Sequence, residues 1–237
     1  MALIDILYED KYIVVLNKSA GLLSVPYPGF SGKTAQDLLC QQRRQRGMVR
    51  GSYRPQAVHR LDKDTSGVMM FALSVEAQKR IMDSWQTMVT SRCYRALAEN
   101  PADKNRILPP EGTIDDPLAI NQAHHSYVPD AKKQNPHNNR HSEKLISAVT
   151  HYTTVCAGSR YTMFELELET GRTNQIRAHL AGKGYPLAGD RLFKSKTNPC
   201  NRLCLHARSL EFVHPYTGEK LAFCVEEPKN WAGFCSR

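Results

Sequence analysis

Short apolar runs separated by turn residues predict the strands of this 237-residue chain. The residues Val68 to Leu73 are six consecutive apolar residues, which is long enough for a buried strand and too short for an ordinary helix. Tyr12 to Leu16 has the same character, and in the segment 161–168 alternation places Phe164, Leu166 and Leu168 on one face. Further strands are predicted at 94–99, 147–155, 203–213 and 220–225.

The spacing of apolar residues and the capping signals predict three helices. The first covers 34–46, with Thr34 as its N-cap and Gly47 just after its end. Ser74 caps a second helix that runs to about Val89, and the third covers 174–183. Residues 130–144 have no large apolar side chain, so we expect a loop or disordered insertion there. We therefore predict a single α+β domain over 1–237 with one irregular insertion.

Composition and cysteine usage predict a cytoplasmic globular protein. The apolar share of 41% and the charged share of 23% are ordinary for such a chain. The N-terminus has no basic leader before an apolar core, and no apolar run approaches the roughly 18 residues of a membrane span. The chain has seven cysteines, an odd number without framework-like spacing, so we expect free thiols in a reducing compartment.

The positive charge is concentrated in one segment. The net charge is +9, and residues 33–63 hold eight basic residues against two acids, a local balance of +6. Such a surface suits a polyanion, because neutralising phosphates releases counterions and supplies affinity. The alternative is a solvated, solubilising face, and the position of Asp62 inside this segment favours nucleic acid.

Asp62 lies between Arg60 and a turn that leads into the apolar run at 68–73. The turn residues 64–67 are Asp, Thr, Ser and Gly, which bond to nearby backbone amides or tolerate positive φ. The carboxylate is thus predicted on a loop braced by a rigid strand, where functional groups are frequent. The alternative is that Asp62 caps the turn or pairs with Arg60 at the surface.

The segment His59-Arg60-Leu61-Asp62-Lys63-Asp64-Thr65-Ser66-Gly67 resembles the signature of the RluA-type pseudouridine synthases. The resemblance covers nearly the whole chain, except 130–144. Further motifs that are similar to the family's are Tyr8-Glu9-Asp10, Lys18-Ser19-Ala20-Gly21-Leu22, Arg92-Cys93-Tyr94-Arg95-Ala96-Leu97, Thr170 to His179, Ala188-Gly189-Asp190, Leu205-His206-Ala207 and His214-Pro215 with Gly218-Glu219. The resemblance implies the pseudouridine synthase fold, a mixed and mainly antiparallel sheet flanked by helices and loops.

Two positions depart from the family pattern, and one module is not found. Ser19 stands where proline is usual, and Asn174 stands where histidine is usual, which would alter a hydrogen bond near the substrate. The S4 RNA-binding module of many relatives is not found before the catalytic motifs. We therefore expect RNA affinity to come from the domain itself.

The resemblance implies an enzyme that isomerises uridine in RNA to pseudouridine without cofactor or metal. It makes Asp62 the catalytic carboxylate, Arg177 the guanidinium that keeps it ionised, and Tyr94 the ring on which the detached uracil stacks. Whether Asp62 attacks the sugar, adds to the uracil ring or assists removal of a sugar proton to give a glycal is left open.

The target uridine must leave the RNA stack before it can react. By resemblance Arg60 follows it and fills the vacancy, while His59 contacts a phosphate or flanks the pocket. The remaining substrate-binding candidates are Thr65, Arg172 and Ile176.

Two other functions stay open from sequence: a basic RNA-binding assembly factor without catalysis, and a hydrolytic RNA N-glycosidase that releases uracil. A zinc site is the weaker interpretation of the histidines and of Cys200 and Cys204, because no second close ligand pair accompanies them. We expect ribosomal RNA rather than transfer RNA as the partner, a target choice set by loops 41–54 and 130–144, and a monomer.

Overall fold

The computed structural model describes residues 3–49, 54–122, 124–129 and 144–236. Two compact units divide the chain: Met1–Tyr94 with Leu205–Glu227, and Arg95–Cys204 with Pro228–Arg237. The single-domain prediction stays a prediction, and the predicted insertion lies outside the described residues except for Lys144.

The helices are α1 Ala35–Gln45, α2 Val75–Met88 and α3 Gln175–Lys183, with short 3-10 turns at Lys104–Arg106 and Ala232–Phe234. The strands are β1 Asp5–Glu9, β2 Ile13–Lys18, β3 Gln56–Ala57, β4 Ser66–Ala72, β5 Val89–Glu99, β6 Glu111–Ile114, β7 Ala119–Ile120, β8 Ser126–Tyr127, β9 Thr150–Ala157, β10 Tyr161–Leu168, β11 Leu205–Val213 and β12 Lys220–Cys224.

Strand β4 forms the centre of the first unit, and all seven of its residues are buried. Strand β2 pairs with it antiparallel along one edge, while β11 pairs in parallel with Ser66 and Gly67, and β3 pairs antiparallel with Phe71 and Ala72. Gly67 has a φ of 115°, and a Cβ there would lie 2.1 Å from the carbonyl oxygen of Ala207. Only glycine allows this close approach of β4 to β11.

The two faces of β2 and β4 are covered by different helices. Val14 and Met69 pack in the same cluster as Leu39 of α1. Val15 and Met70, one residue further along each strand, pack with Ile81 of α2. This alternation follows from the period of two in a strand, and it explains why both runs read as continuously apolar.

The second unit contains an antiparallel sheet in which β9 lies between β6 and β10. Trp231 is fully buried in a cluster with Leu97, Met163 and Cys204. A separate small cluster joins Ala178 of α3 to Leu118 and Ala148.

The α+β class and all three predicted helices are confirmed. Thr34 and Ser74 are the N-caps of α1 and α2, as predicted, and each side chain accepts a backbone N–H of the first turn. Strand β5 begins at Val89, five residues before the predicted start, directly after α2 ends. Strand β9 begins at Thr150 rather than at 147, and β1, β3 and β6 to β8 were not predicted.

Candidate active site

Asp62 lies on a turn immediately before β4. Its backbone carbonyl accepts the N–H of Thr65 at 3.2 Å, which closes the turn. The Asp62 side chain is half-buried, whereas Thr65 is only 2% exposed. Burial of Thr65 points to a part in the turn, and its predicted contact with the substrate stays a prediction.

The residue before Asp62 is held from both sides by one hydroxyl. Ser24 Oγ donates to the carbonyl oxygen of Leu61 at 2.7 Å and accepts the Leu61 N–H at 3.1 Å. Both Ser24 and Leu61 are buried, so neither backbone group of Leu61 has water as an alternative partner. Loss of this hydroxyl would leave two buried backbone groups unpaired.

The residue after Asp62 is held by a buried lysine. Lys18, at the end of β2, is fully buried, and its Nζ donates to the carbonyl oxygens of Ser19, Leu22 and Lys63 at 3.0, 2.6 and 3.0 Å. An ammonium group has three N–H donors, and three acceptors are provided here. Lys18 thus ties the turn after β2 to the backbone beside Asp62.

His59 fills a gap along one edge of β4. Its Nε2 accepts the backbone N–H of Met70 at 2.9 Å, at a place between the β11 pairs and the β3 pairs. Its ring lies 5.0 Å from that of Trp85. Burial, together with the positive charge of Arg92, lowers the pKa of His59 to about 3. The imidazole is therefore neutral near pH 7 and anchors the segment that leads to Asp62.

Tyr94 lies near Asp62 in the first unit. Burial raises the pKa of the Tyr94 phenol, the charge of Arg92 lowers it, and the negative charge of Asp62 raises it. Tyr94 packs against the hydrophobic cluster that contains Leu61, the residue before Asp62. The phenol is therefore protonated at neutral pH, and the predicted action of Tyr94 together with Asp62 stays a prediction.

Arg177 lies on α3 in the second unit. Its Nε and Nη2 donate to Oδ2 and Oδ1 of Asp190 at 2.7 and 2.8 Å. The predicted partnership with Asp62 joins residues of different units, and it stays a prediction. Asp190, by contrast, was not predicted as its partner.

The other predicted binding residues differ in exposure. The Arg60 and Arg172 side chains are exposed, and Arg172 Nε donates to the Ser147 carbonyl oxygen at 3.0 Å. Ile176 is 4% exposed in α3. Arg60 and Arg172 are therefore accessible to RNA, whereas Ile176 serves the packing of α3. The predicted substrate contacts of all three residues stay predictions.

The basic segment is less available to a partner than its sequence indicates. Arg43 and Arg46 form ion pairs with Glu9, and Arg54 pairs with Asp37. Arg43 is only 7% exposed. The local balance of +6 already counts Asp37, so Glu9 lowers it by one charge, and the burial of Arg43 removes a further positive charge from the surface.

The weaker zinc interpretation gains no support from the described residues, among which no group of three or more histidine, cysteine or acidic side chains could hold a metal ion. His137 and His141 lie outside them. All seven cysteines are free, as predicted. Within the described chain, no helix is long and apolar enough to cross a membrane.

Sequence reasoning missed the residues that hold the turn of Asp62. Lys18 and Ser24 carry no local signal for this role, because the backbone groups beside Asp62 that they contact lie 45 and 37 residues away. His206 was also missed: its Nε2 donates to the Val225 carbonyl oxygen, so its Nδ1 accepts from Ser66 at 2.8 Å. Lys18 and His206 fall inside motifs of the family resemblance, which was the available signal.

Comparison with known proteins gives consistent matches. A family model described as RNA pseudouridylate synthase matches residues 12–182. The chain is 32% identical over 234 residues to an uncharacterized RNA pseudouridine synthase, YhcT, of Bacillus subtilis, covering 98% of this chain and 71% of that protein. It is 33% identical over 245 residues to ribosomal large subunit pseudouridine synthase D of Neisseria meningitidis, covering 96% and 59%.

Solved structures show the same fold. The structure of human RNA pseudouridylate synthase domain containing 4 matches with a TM-score of 0.73 at 23% identity, covering 96% of this chain and 90% of that one. Human RNA pseudouridylate synthase domain containing 1 matches with a TM-score of 0.69 at 22% identity, covering 95% and 84%. The fold implied by the sequence motifs is confirmed.

Proposed function

The chain belongs to the RNA pseudouridylate synthase family, and from that premise we propose that it isomerises uridine in ribosomal RNA with Asp62 as the catalytic carboxylate. The observation that carries this proposal is the Asp62 turn. Lys18 and Ser24 fix the backbone on both sides of Asp62, and Tyr94 packs against the hydrophobic cluster that contains Leu61. A carboxylate held this firmly next to an aromatic ring fits a preorganised catalytic site.

In the proposed reaction the bond between uracil N1 and the ribose C1′ breaks, and a bond between uracil C5 and C1′ forms. The proton on C5 leaves and N1 gains a proton, so the isomerisation is redox-neutral. Cleavage builds positive charge at C1′, and an ionised Asp62 stabilises or bonds to that carbon, as the nucleophile of a retaining glycosidase does. The proposal allows attack on the sugar, addition to the ring, or glycal formation.

Three further residues have proposed roles. Arg177 supplies the guanidinium that favours ionised Asp62. The Tyr94 ring stacks on the detached uracil, a contribution of roughly 1 to 3 kcal/mol. Arg60, whose side chain is exposed, replaces the extruded base in the RNA stack.

Ribosomal RNA is the proposed substrate because a relative of 33% identity is named a ribosomal large subunit pseudouridine synthase. We also propose that the protein acts as a monomer. We propose the cytoplasm as the place of this action, because free cysteines suit a reducing compartment.

Product analysis tests the proposal. The purified protein is incubated with ribosomal RNA transcripts or with transfer RNA transcripts, and the digested nucleosides are separated by chromatography. We expect pseudouridine in the ribosomal RNA. Free uracil would instead identify a hydrolytic N-glycosidase, binding without any product would identify an assembly factor, and pseudouridine in transfer RNA alone would overturn the substrate assignment.

A further inference from the structure

The guanidinium of Arg177 is fixed in plane and position by Asp190. The two parallel hydrogen bonds at 2.7 and 2.8 Å are bidentate, and Asp190 is only 2% exposed. The Phe193 ring lies against the same guanidinium, with its centroid 5.3 Å from Arg177 Cζ. Bidentate pairing to a buried carboxylate removes the rotational freedom of a long side chain.

Asp190 is in turn held by the loop that follows it. Its Oδ1 accepts the backbone N–H of Phe193 at 3.3 Å, and its carbonyl oxygen accepts the N–H of Ser195 at 3.0 Å. The preceding residue, Gly189, donates its N–H to the Thr197 carbonyl oxygen at 2.8 Å. The position of the Asp190 carboxylate therefore depends on the course of the loop 189–197.

A second buried carboxylate holds that loop. Glu99, at the end of β5, accepts hydrogen bonds from the Ser195 and Thr197 hydroxyls at 2.8 and 2.6 Å and from the Lys196 and Thr197 backbone N–H groups at 3.1 and 2.6 Å. Burial opposes ionisation of Glu99, but these hydrogen bonds outweigh it, and the Glu99 pKa lies below its ordinary value. Glu99 thus stays ionised and keeps all four donors engaged.

We propose that Asp190 and Glu99 are positioning residues that act through Arg177: Asp190 orients the guanidinium directly, and Glu99 fixes the loop that carries Asp190. The inference rests on the proposed function, in which Arg177 serves catalysis. A charged group that must act at a set distance loses effect when it moves, and a displacement of 1 Å costs on the order of 100-fold in rate. A purely structural ion pair would lower the folding stability of the protein and would leave the rate of the folded enzyme unchanged.

A double-mutant cycle on the reaction rate tests this. Single-turnover rates are measured at saturating enzyme for wild type, Asp190→Asn, Arg177→Lys and the double variant, with incubations long enough to record slow reactions. In the wild-type background we expect Asp190→Asn to slow the reaction on the order of 100-fold. In the Arg177→Lys background the same change should slow it less than about 3-fold, because the guanidinium that Asp190 orients is absent. Equal factors in both backgrounds would overturn the inference.

The same set separates this inference from the proposed function. Full activity of Arg177→Lys would refute the catalytic role of Arg177 itself. A slow Arg177→Lys with an unimpaired Asp190→Asn would refute only the positioning role of Asp190. RNA affinity, measured by filter binding, should stay within a few fold of wild type in each variant.

A matched control lies on the same helix. Lys183 of α3 pairs with Asp116 at 2.7 Å, and both side chains are about one third exposed. Asp116→Asn removes a carboxylate partner from α3 without touching Arg177, so its rate should match wild type. Loss of activity in Asp116→Asn as large as in Asp190→Asn would show a general effect on the helix and overturn the inference.

Glu99→Gln tests the outer carboxylate. One acceptor oxygen becomes a donor that faces N–H groups, so the loop shifts. Because this displaces Arg177 only indirectly, we expect a rate loss on the order of 10-fold, smaller than for Asp190→Asn. In arginine-labelled protein, nuclear magnetic resonance should show a slowly exchanging Arg177 Nε–H that is lost in Asp190→Asn and exchanges faster in Glu99→Gln. An unchanged signal in both variants would contradict the proposal that Asp190 orients Arg177 and that Glu99 fixes the loop that carries Asp190.

Discussion

Asp62 and Arg177 are held in different ways, and the difference shows what each position demands. The backbone around Asp62 is fixed by Ser24 and Lys18, whose contacts go to main-chain groups. Arg177 is fixed through its own charged side chain by the carboxylate of Asp190. Hydrogen bonds to the backbone position the Asp62 carboxylate, whereas an ion pair to the side chain positions the Arg177 guanidinium.

Substitutions around Asp62 and around Arg177 should therefore affect folding stability for different reasons. Changes around Asp62 should act through unsatisfied backbone groups, and therefore on folding stability as well as on rate. Changes at Asp190 should act through the nearly buried charge of Arg177, which loses its partner, so they should also lower folding stability, and rates are compared under conditions in which each variant is folded.

The largest effect on stability is expected when Lys18, whose ammonium group binds the backbone beside Asp62, is replaced. Lys18→Met leaves three carbonyl oxygens without their donor, so unfolding free energy should fall by on the order of 3 kcal/mol. Urea denaturation followed by circular dichroism measures this. Lys63→Met is the control, since its side chain is exposed and only its carbonyl contacts Lys18. If Lys18→Met lowers the free energy of unfolding by less than about 1 kcal/mol, Lys18 does not stabilise the Asp62 turn as described.

A smaller loss is expected on the other side of the turn. Ser24→Ala unpairs both backbone groups of Leu61, and we expect a cost of about 2 kcal/mol together with a slower single-turnover rate. The matched variant is Ser31→Ala, in the exposed part of the same loop, which should behave like wild type. If Ser24→Ala loses stability but keeps its rate, the turn does not position Asp62.

Acid should lower the folding stability of the protein through His59, which is neutral in the folded state. The folded-state pKa of about 3 lies below the ordinary 6.5, so the contribution of His59 to stability is complete above about pH 6.5 and is lost as the pH falls towards 3. Between pH 7 and pH 5 wild type should lose roughly 1 to 2 kcal/mol more than His59→Gln, whose amide oxygen can still accept the Met70 N–H.

Thermal melts of both proteins across this pH range measure the difference. His125→Gln is the control and should follow wild type. Parallel pH curves for wild type and His59→Gln would mean that His59 does not stay neutral in the folded protein.

The smallest effect is expected at Asn174, the N-cap of α3, which has a φ of 53° and a ψ of 21°. Asparagine and histidine tolerate this left-handed conformation better than most residues, which accounts for Asn174 where the family has histidine. Asn174→Ala should cost about 1 kcal/mol in thermal unfolding, and Asn174→His only a few tenths. Asn201→Ala, at the same φ of 53° in an exposed loop, measures the backbone cost alone.

The sequence predicted those parts of the fold that local patterns determine. The strands β2 and β4 follow from apolar runs, and α1 and α2 follow from capping residues whose partners lie three residues away. Strand β1 was missed because its residues are only partly buried, so its alternation is weak. Its formation depends on pairing with β2, which no local pattern encodes.

The site was predicted less completely for the same physical reason. The motif that contains Asp62 is contiguous, and Tyr94 was found by resemblance. The partners that position them are separated in sequence: Lys18 from Lys63, and Glu99 from Thr197 by 98 residues. Arg43 was assigned to an RNA surface because its pairing with Glu9 depends on the fold.

The central claim, that the Asp62 carboxylate is catalytic, is tested most directly by comparing Asp62→Asn with Asp64→Asn. Asp64 is exposed and lies two residues away, so both variants lose the same charge from the same turn. With RNA labelled by tritium at uracil C5, tritium release reports turnover, and filter binding reports affinity. We predict that Asp62→Asn binds RNA within a few fold of wild type and releases no tritium, while Asp64→Asn turns over normally. Tritium release by Asp62→Asn at the wild-type rate would contradict the account.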